Sequence, residues 1–168
     1  MFKPSINAGL ILATCVLLAA PVFAKTFKLP DAEFAVASID VPGSWSPEEV
    51  EHGLEAETKD GEFYLSVVAV GTEKGMTAEI DETFEMLKEH KVKVDASSKK
   101  EGKGKINELE TQSLTLKGSD EDGPCTITIL FVTIKNKMIV MTYWFTDEDL
   151  PKFEKEVMAI QNSLKAIP

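Results

Sequence analysis

Two apolar segments in the second half of the chain constrain its fold more than any other feature. They run from Cys125 to Ile134 (CTITILFVTI) and from Met138 to Thr146 (MIVMTYWFT), with a three-residue polar connection between them. So short a connection predicts an antiparallel hairpin. Alternate side chains of a strand face opposite sides, and here both alternating sets are apolar. The hairpin is therefore predicted to lie inside a sheet that is covered on both faces.

An amphipathic helix is predicted directly after this hairpin. Apolar residues from Leu150 to Ile167 recur at spacings of three and four, which places them on one stripe of a helix. Pro151 is tolerated only in a first helical turn, so the helix is predicted to begin at about Asp149 or Leu150. We expect Phe153, within the stripe, to pack on one face of the hairpin.

The rest of the mature chain predicts four further strands and a second helix. Strands are predicted where polar and apolar residues alternate, and glycine after aspartate at Asp60-Gly61 predicts a tight hairpin turn. The second helix is expected in the same layer as the C-terminal helix or in the opposite one. The predicted elements are strands over 34–41, 49–58, 63–70 and about 106–117, and a helix over 77–90 capped by Thr77.

Two polar segments are interpreted as loops. Residues 92–105 are rich in lysine, serine and glycine, a composition typical of a solvated loop. A docking patch is the alternative interpretation of this lysine cluster, because the rest of the protein is acidic. Residues 119–124 carry several acidic side chains but lack the spaced ligands and the distal glutamate of an EF-hand. That segment is therefore predicted to be a turn and not a calcium site.

The first residues have the pattern of a secretory signal peptide. A positively charged start, an apolar run and a small residue at Ala24 follow one another. We predict that residues 1–24 are a signal peptide and that residues 25–168 form a single domain. The mature protein is then periplasmic and has no integral membrane segment. The alternative is a lipoprotein anchored through Cys15, which the preceding Thr14 disfavours.

The charge balance argues against several classes of partner. The sequence has 18 basic and 28 acidic residues, a formal net charge of −10, and every basic residue is lysine. Nucleic-acid binding requires a net basic surface, and bidentate capture of phosphate or carboxylate normally uses arginine. We therefore expect no nucleic-acid partner. The expected partner is another envelope protein or a small ligand.

The cysteine and histidine residues have structural interpretations. Signal cleavage would leave Cys125 as the sole cysteine, and its apolar strand predicts a core residue instead of a reactive or dimer-forming thiol. His52 is predicted on the apolar side of the strand over 49–58, and His90 near a helix end. Neither histidine is followed closely by a second ligand or a nucleophile. Both are interpreted as structural.

No catalytic or nucleotide-binding motif is recognisable. The sequence contains no G-x-S-x-G elbow, no Walker sequence, no dinucleotide fingerprint and no sensor-kinase motif. We therefore predict a protein that is not an enzyme, with no catalytic, cofactor-binding or metal-binding residues and no cofactor. The alternative is a small hydrolase-like envelope enzyme whose site is assembled from dispersed residues. A concave pocket holding His52 or Cys125 beside perturbed carboxylates would favour it.

The order of elements and three segments carry a resemblance to a known family. The segments are FAVASIDVPGSW, KDGEFYLSVVAV and IQNSLK, and together with the element order they resemble the PsbP-like and DcrB-like fold family. The resemblance implies an α+β protein, a single α/β/α sandwich with a mainly antiparallel sheet of about six strands flanked by helices. It implies structural roles for Pro42, Trp45 and Leu164. The family shares no catalytic residue, and its members mostly act as accessory or binding proteins, so a non-catalytic periplasmic role is expected here.

Overall fold

The computed structural model describes residues 24–71 and 73–168. Within these ranges the chain forms ten strands and two α-helices. The predicted signal peptide lies outside the described residues, except for Ala24. The elements are β1 (Ala24–Leu29), β2 (Ala37–Pro42), β3 (Glu48–Val50), β4 (Gly53–Glu57), β5 (Phe63–Val70), α1 (Glu73–Glu89), β6 (Lys93–Ile106), β7 (Leu109–Ser119), β8 (Pro124–Ile134), β9 (Lys137–Thr146), α2 (Leu150–Ser163) and β10 (Lys165–Ala166).

Seven of the strands form one antiparallel sheet in the order β3-β4-β5-β9-β8-β7-β6. β8 and β9 pair along their length and are joined by a turn in which Lys135 is left-handed, with φ of 55°. β5 pairs with the outer side of β9, and β7 with the outer side of β8. The predicted central hairpin is confirmed.

The number of strands differs from the prediction of about six. β1, β2 and β10 form a second, three-stranded sheet; β1 lies outside the predicted elements, and β10 lies within the predicted C-terminal helix. β2 also begins at Ala37 instead of residue 34. Asp31 Oδ1 accepts hydrogen bonds from the backbone N–H groups of Glu33 and Phe34, which holds this segment in a turn. Phe34 is consequently 65 % exposed.

One face of the large sheet is closed by α2 and the small sheet. Phe153 of α2 packs with its ring centroid 5.6 Å from that of Phe63 and 5.9 Å from that of Trp45. Trp45 Nε1 donates a hydrogen bond of 2.6 Å to Glu156 Oε2, which ties the helix to the segment after β2. Leu164 is fully buried at the helix end. Phe153 therefore packs in the same core cluster as the hairpin residues Met141 and Phe145, as predicted, although its ring contacts are with β5 and Trp45. The structural roles of Trp45 and Leu164 are confirmed.

The C-terminal helix is shorter than its apolar stripe. It begins at Leu150, as predicted, and ends at Ser163, after which Leu164 is extended. Ile167 lies beyond the helix, and its backbone N–H donates to the carbonyl oxygen of Val36 at 2.9 Å. The last residues of the stripe therefore join the small sheet instead of continuing the helix.

The opposite face of the large sheet is covered by α1. Leu87 is fully buried in one cluster with Ile127 and Trp144 of the central hairpin. The two helices therefore lie on opposite faces, which makes the architecture the expected α/β/α sandwich with an added small sheet. α1 begins at Glu73, before the predicted cap Thr77.

The predicted strand over 49–58 is two strands. A tight turn separates β3 from β4, and His52 occupies it with φ of 65°. The prediction that His52 lies on an apolar strand face is wrong, because its side chain is 63 % exposed. The following hairpin and its left-handed glycine are confirmed, with Gly61 at φ of 72°, but the connection is not the predicted two-residue turn, since it extends over 58–62.

The predicted loop over 92–105 is also wrong. Nearly all of that segment is β6, which pairs antiparallel with β7 from Lys93 to Ile106 apart from a register shift between Asp95 and Lys100. The polar composition suits an exposed strand at the edge of the sheet, where charged side chains, lysine above all, are common. The turn after it is anchored by Asn107, whose Nδ2 donates to two carbonyl oxygens at the end of α2 at 3.0 Å.

Candidate ligand-binding groove

The face of the large sheet under α1 is only partly covered. The second half of α1 packs on the sheet through Leu87 and the partly buried Phe84. The first half places Met76 and Ile80 beside the sheet, where an open groove of about 920 Å³ separates the helix from the strands β6 to β9. We define this space as the groove.

The floor of the groove is apolar. Leu114 of β7, Phe131 of β8 and Met138 of β9 line it, and each is only partly buried. The strand register explains their common face, because Leu114 lies opposite Ile129, and Met138 lies opposite Thr133. They continue a small core cluster formed by Val68, Ile129 and Val140.

The rim of the groove is polar and carries both charges. Lys99 Nζ lies 2.9 Å from Glu101 Oε1, and this contact lowers the pKa of the Glu101 carboxyl. Lys103 has no salt-bridge partner among the described residues. The remaining residues of the rim are the two glycines Gly102 and Gly104 and the polar residues Glu108, Glu110, Thr111, Gln112, Ser113 and Thr133. An apolar floor inside a mixed rim suits a ligand that has an apolar body and a polar end.

The residues considered from sequence lie outside this groove. His52 is in the exposed turn before β4, where its Nε2 is 3.6 Å from Glu51 Oε1. His90 follows α1, with its ring centroid 5.4 Å from that of Trp144. Cys125 is fully buried, and burial raises the pKa of its thiol to about 11. Its complete burial confirms the interpretation of Cys125 as a core residue, and a thiol with a raised pKa is a poor nucleophile at neutral pH.

A separate polar cluster lies at the other end of the α1 face. Burial and the neighbouring Glu55 raise the pKa of the Tyr64 hydroxyl. The Tyr64 ring stacks on that of Trp144 at a centroid distance of 4.3 Å. Burial, Glu82 and Glu55 raise the pKa of the Glu79 carboxyl on α1. The negative charges of Glu55 and Glu82 thus disfavour ionisation of Glu79.

Two kinds of feature are absent from the described ranges. No group of three or more His, Cys, Asp or Glu side chains in residues 24–71 and 73–168 is arranged to hold a metal ion. In the same ranges, no helix is long and apolar enough to cross a membrane. The acidic turn at 120–123 is held by its own hydrogen bonds, since Asp120 Oδ1 accepts from the backbone N–H of Asp122 and of Gly123.

Comparison with known proteins supports the fold but gives no sequence relative. No protein-family model matches the chain, and comparison with curated proteins finds no match. The solution structure of cyanobacterial PsbP (CyanoP) from Synechocystis sp. PCC 6803 is similar, with a TM-score of 0.57 and 9 % identity over 93 % of this chain and 99 % of that one. A protein from Bacteroides thetaiotaomicron has the same TM-score and 15 % identity over 86 % of this chain.

The chain spans about half of the Bacteroides protein, 48 % of its length. It aligns with nearly the whole of the cyanobacterial protein, so that comparison describes a complete fold. The chain therefore has a PsbP-like fold, as the sequence resemblance implies. At these identities the likeness concerns the fold alone.

Sequence reasoning did not locate the groove. Its floor residues belong to strands that were predicted as buried, and its rim belongs to the segment interpreted as a loop. The only signal in the sequence was the lysine cluster between residues 91 and 105, for which a docking patch was the alternative interpretation. The groove lies between the first half of α1 and strands β6 to β9, and no local sequence pattern predicts how far the helix lies from these strands.

Proposed function

We propose that this chain is a non-catalytic accessory protein of the bacterial periplasm that binds a small molecule in the groove. One observation carries the proposal: partly buried apolar side chains line an open concavity on one face of a sheet whose other face packs against α2 and the small sheet in one continuous core cluster. Its volume of about 920 Å³ is within the range of about 300–1,000 Å³ typical of small-molecule sites.

The composition of the groove defines the ligand class. Leu114, Phe131 and Met138 present apolar surface that water covers in the free protein. An apolar group that displaces this water gains about 25 cal/mol for each Å² of apolar surface removed from water. Lys103 and Gln112 at the rim can fix a polar end by hydrogen bonding. The proposed ligand is therefore an amphipathic molecule with an apolar body.

The placement of the candidate nucleophiles supports binding over hydrolysis. A hydrolase-like site would bring a nucleophile and a base together in the concavity. The groove lining contains neither cysteine nor histidine. Cys125 is enclosed in the α1 core, and His52 lies in a turn at the far edge strand, so neither faces a ligand bound on this floor.

A periplasmic location is proposed from the amino-terminal sequence. The signal-peptide pattern supports export and cleavage after Ala24. N-terminal sequencing of the protein from a periplasmic extract should give a start at Lys25. A retained Met1, or a lipid on Cys15, would contradict this part of the proposal.

Fluorescence of a neutral apolar probe tests the binding proposal. N-phenyl-1-naphthylamine should bind the purified domain with enhanced emission. Met138→Gln should weaken that binding about tenfold, because the change places an amide on the apolar floor. Met158→Gln is the matched control, since Met158 is 54 % exposed on α2 and lies away from the groove. This control should bind as the unmodified domain does.

Chemical-shift mapping locates the bound probe. The largest changes should fall on Ile80, Leu114, Phe131 and Met138, and Phe131→Ala should reduce them. Changes centred on another surface, or equal affinity for the Met138 and Met158 variants, would refute the groove as the binding site. Turnover of ester or phosphodiester substrates that disappears in Phe131→Ala would instead favour the hydrolase-like alternative.

A further inference from the structure

The most exposed backbone of the large sheet lies along β6. β6 occupies one end of the strand order and pairs only with β7. It has 14 residues, whereas the edge strand at the other end, β3, has 3. Strands usually have about 3–10 residues, so β6 is unusually long for an edge. Its outer N–H and C=O groups form a template on which another strand can pair.

The regular part of this edge is Lys100–Ile106. The register shift between Asp95 and Lys100 interrupts the pairing before it, whereas every residue from Lys100 to Ile106 has a partner on β7. A bulge of this kind limits strand addition to the segment that follows it. We define residues 100–106 as the β6 edge.

The two sides of the β6 edge differ in a way that permits approach. On the α2 side, Gly102 and Gly104 leave the middle of the edge, between Lys100 and Ile106, without side chains; a Cβ at Gly102 would lie 2.6 Å from Ser113 Oγ. On the groove side, Glu101, Lys103 and Lys105 face the solvent, opposite Leu114, Gln112 and Glu110 of β7. An added strand would therefore meet most of the charged side chains of the edge on the groove side.

Charge selects the strand that can pair here. β6 contains five lysines and two acidic residues, in a chain whose net charge is −10. Two copies of the β6 edge would bring Lys103 and Lys105 close to the same lysines of the second copy, and opposed like charges destabilise a strand pair. An acidic strand would instead form opposite-charge pairs with the same lysines. The lysines that protect this edge from self-pairing thus favour one kind of partner.

We propose that the β6 edge binds an extended acidic segment of another protein, which adds to the large sheet as an eighth strand. Backbone hydrogen bonds to residues 100–106 supply affinity, and pairing with Lys103 and Lys105 supplies selectivity. This site shares Lys103 with the rim of the groove, but its main contacts are with the outer backbone of β6 and not with the apolar floor. The occupant is a peptide strand and not a second copy of the chain.

A capped synthetic peptide in which glutamate alternates with valine tests the proposal. We expect it to bind the mature domain and to slow amide hydrogen exchange in residues 100–106. Lys103→Glu combined with Lys105→Glu should weaken binding about tenfold, since two attractive pairs become repulsive. Lys155→Glu on the exposed side of α2 is the matched control and should change affinity little. Met138→Gln should leave peptide binding unchanged.

Three results would overturn the proposal. The first is equal binding of an acidic peptide interrupted by proline, because proline removes the backbone donor that strand pairing needs. The second is an absence of protection in residues 100–106 at saturating peptide. The third is a dimer of the free domain that dissociates in the double lysine variant, because the edge would then pair with a second copy.

Discussion

The two faces of the seven-stranded sheet are similarly apolar along the central hairpin, but they are covered to different extents. On one face, α2 and the three-stranded sheet enclose a continuous cluster that includes Trp45, Phe63, Phe153 and Leu164. On the other face, α1 alone provides the cover, and the core divides into a cluster around Leu87 and a smaller one beside the groove.

The comparison separates the parts of the sheet that stabilise the fold from the part available for binding. A closed face buries its side chains whatever the protein binds. A half-covered face keeps apolar surface in contact with water, which a ligand can displace. Substitutions should therefore destabilise the protein most on the α2 face, less under α1 and least at the polar positions of the α1 face.

Phe153→Ala should cause the largest loss of stability. Truncation of a buried phenylalanine removes its transfer free energy and leaves a cavity, together about 3–5 kcal/mol. Domains of this size are stable by only about 5–15 kcal/mol, so the melting temperature should fall by many degrees. Lys155→Ala, on the exposed side of the same helix, should change stability by less than about 0.5 kcal/mol. Equal effects in thermal melts would mean that α2 packs through another face.

Leu87→Ala measures the cover on the α1 face. Leu87 is fully buried, and leucine-to-alanine changes in cores cost about 2–5 kcal/mol. We expect a value near 2–3 kcal/mol, below that of Phe153→Ala, because the open groove lets α1 relax toward the cavity. Denaturant unfolding of both variants gives the difference directly. A larger loss for Leu87→Ala would reverse the assignment of the stabilising face.

Thr142→Val should stabilise the protein. Thr142 is 1 % exposed under α1, and its Oγ1 has no hydrogen-bond partner among the described residues. A buried polar atom without a partner carries a desolvation penalty of about 1–3 kcal/mol, which a methyl group of similar size removes. The expected gain is about 1 kcal/mol in the free energy of unfolding. A decrease in melting temperature would show that the hydroxyl is satisfied in solution, for example by water.

Glu79→Gln should give the smallest effect, and one that depends on pH. Burial, Glu82 and Glu55 raise the pKa of Glu79 in the folded state above the ordinary value of 4.5. The folded state then binds this proton more tightly than the unfolded state does. The contribution of Glu79 to stability therefore falls as pH rises from the ordinary pKa through the raised pKa of the folded state. The neutral variant should melt higher than the unmodified protein at pH 7.

The melting difference between these two proteins should disappear below about pH 4, where Glu79 is protonated in both states. Comparison at each pH is necessary because other carboxyls act in the opposite direction. Hydrogen bonds from Thr126 and Lys117, for example, lower the pKa of the Asp147 carboxyl, so the stability that Asp147 contributes is lost in acid. A constant difference across the pH range would exclude titration of Glu79 as the cause.

Much of the fold could be predicted because its signals are local. The hairpin of β8 and β9, the start of α2 at Leu150 and the left-handed turn at Gly61 all rest on periodicity or on the conformational preference of one residue. The sequence-based predictions were wrong where contacts with neighbouring elements determine the structure of a segment. A lysine-rich segment became β6 because β7 lies beside it, and the strand containing His52 was divided by a turn that its alternating pattern hides.

The sequence by itself determined the central hairpin, the presence of two helices and the need for cover on both faces of the sheet, because both faces of the hairpin are apolar. It also determined the acidic character of the chain and the basic character of residues 91–105. Only the tertiary structure decided that α1 and α2 lie on opposite faces, that β6 is an edge, and that α1 stops short of Phe131 and Met138. The physical reason is that coverage depends on how far one packed element extends over another, and such distances are set by the whole assembly.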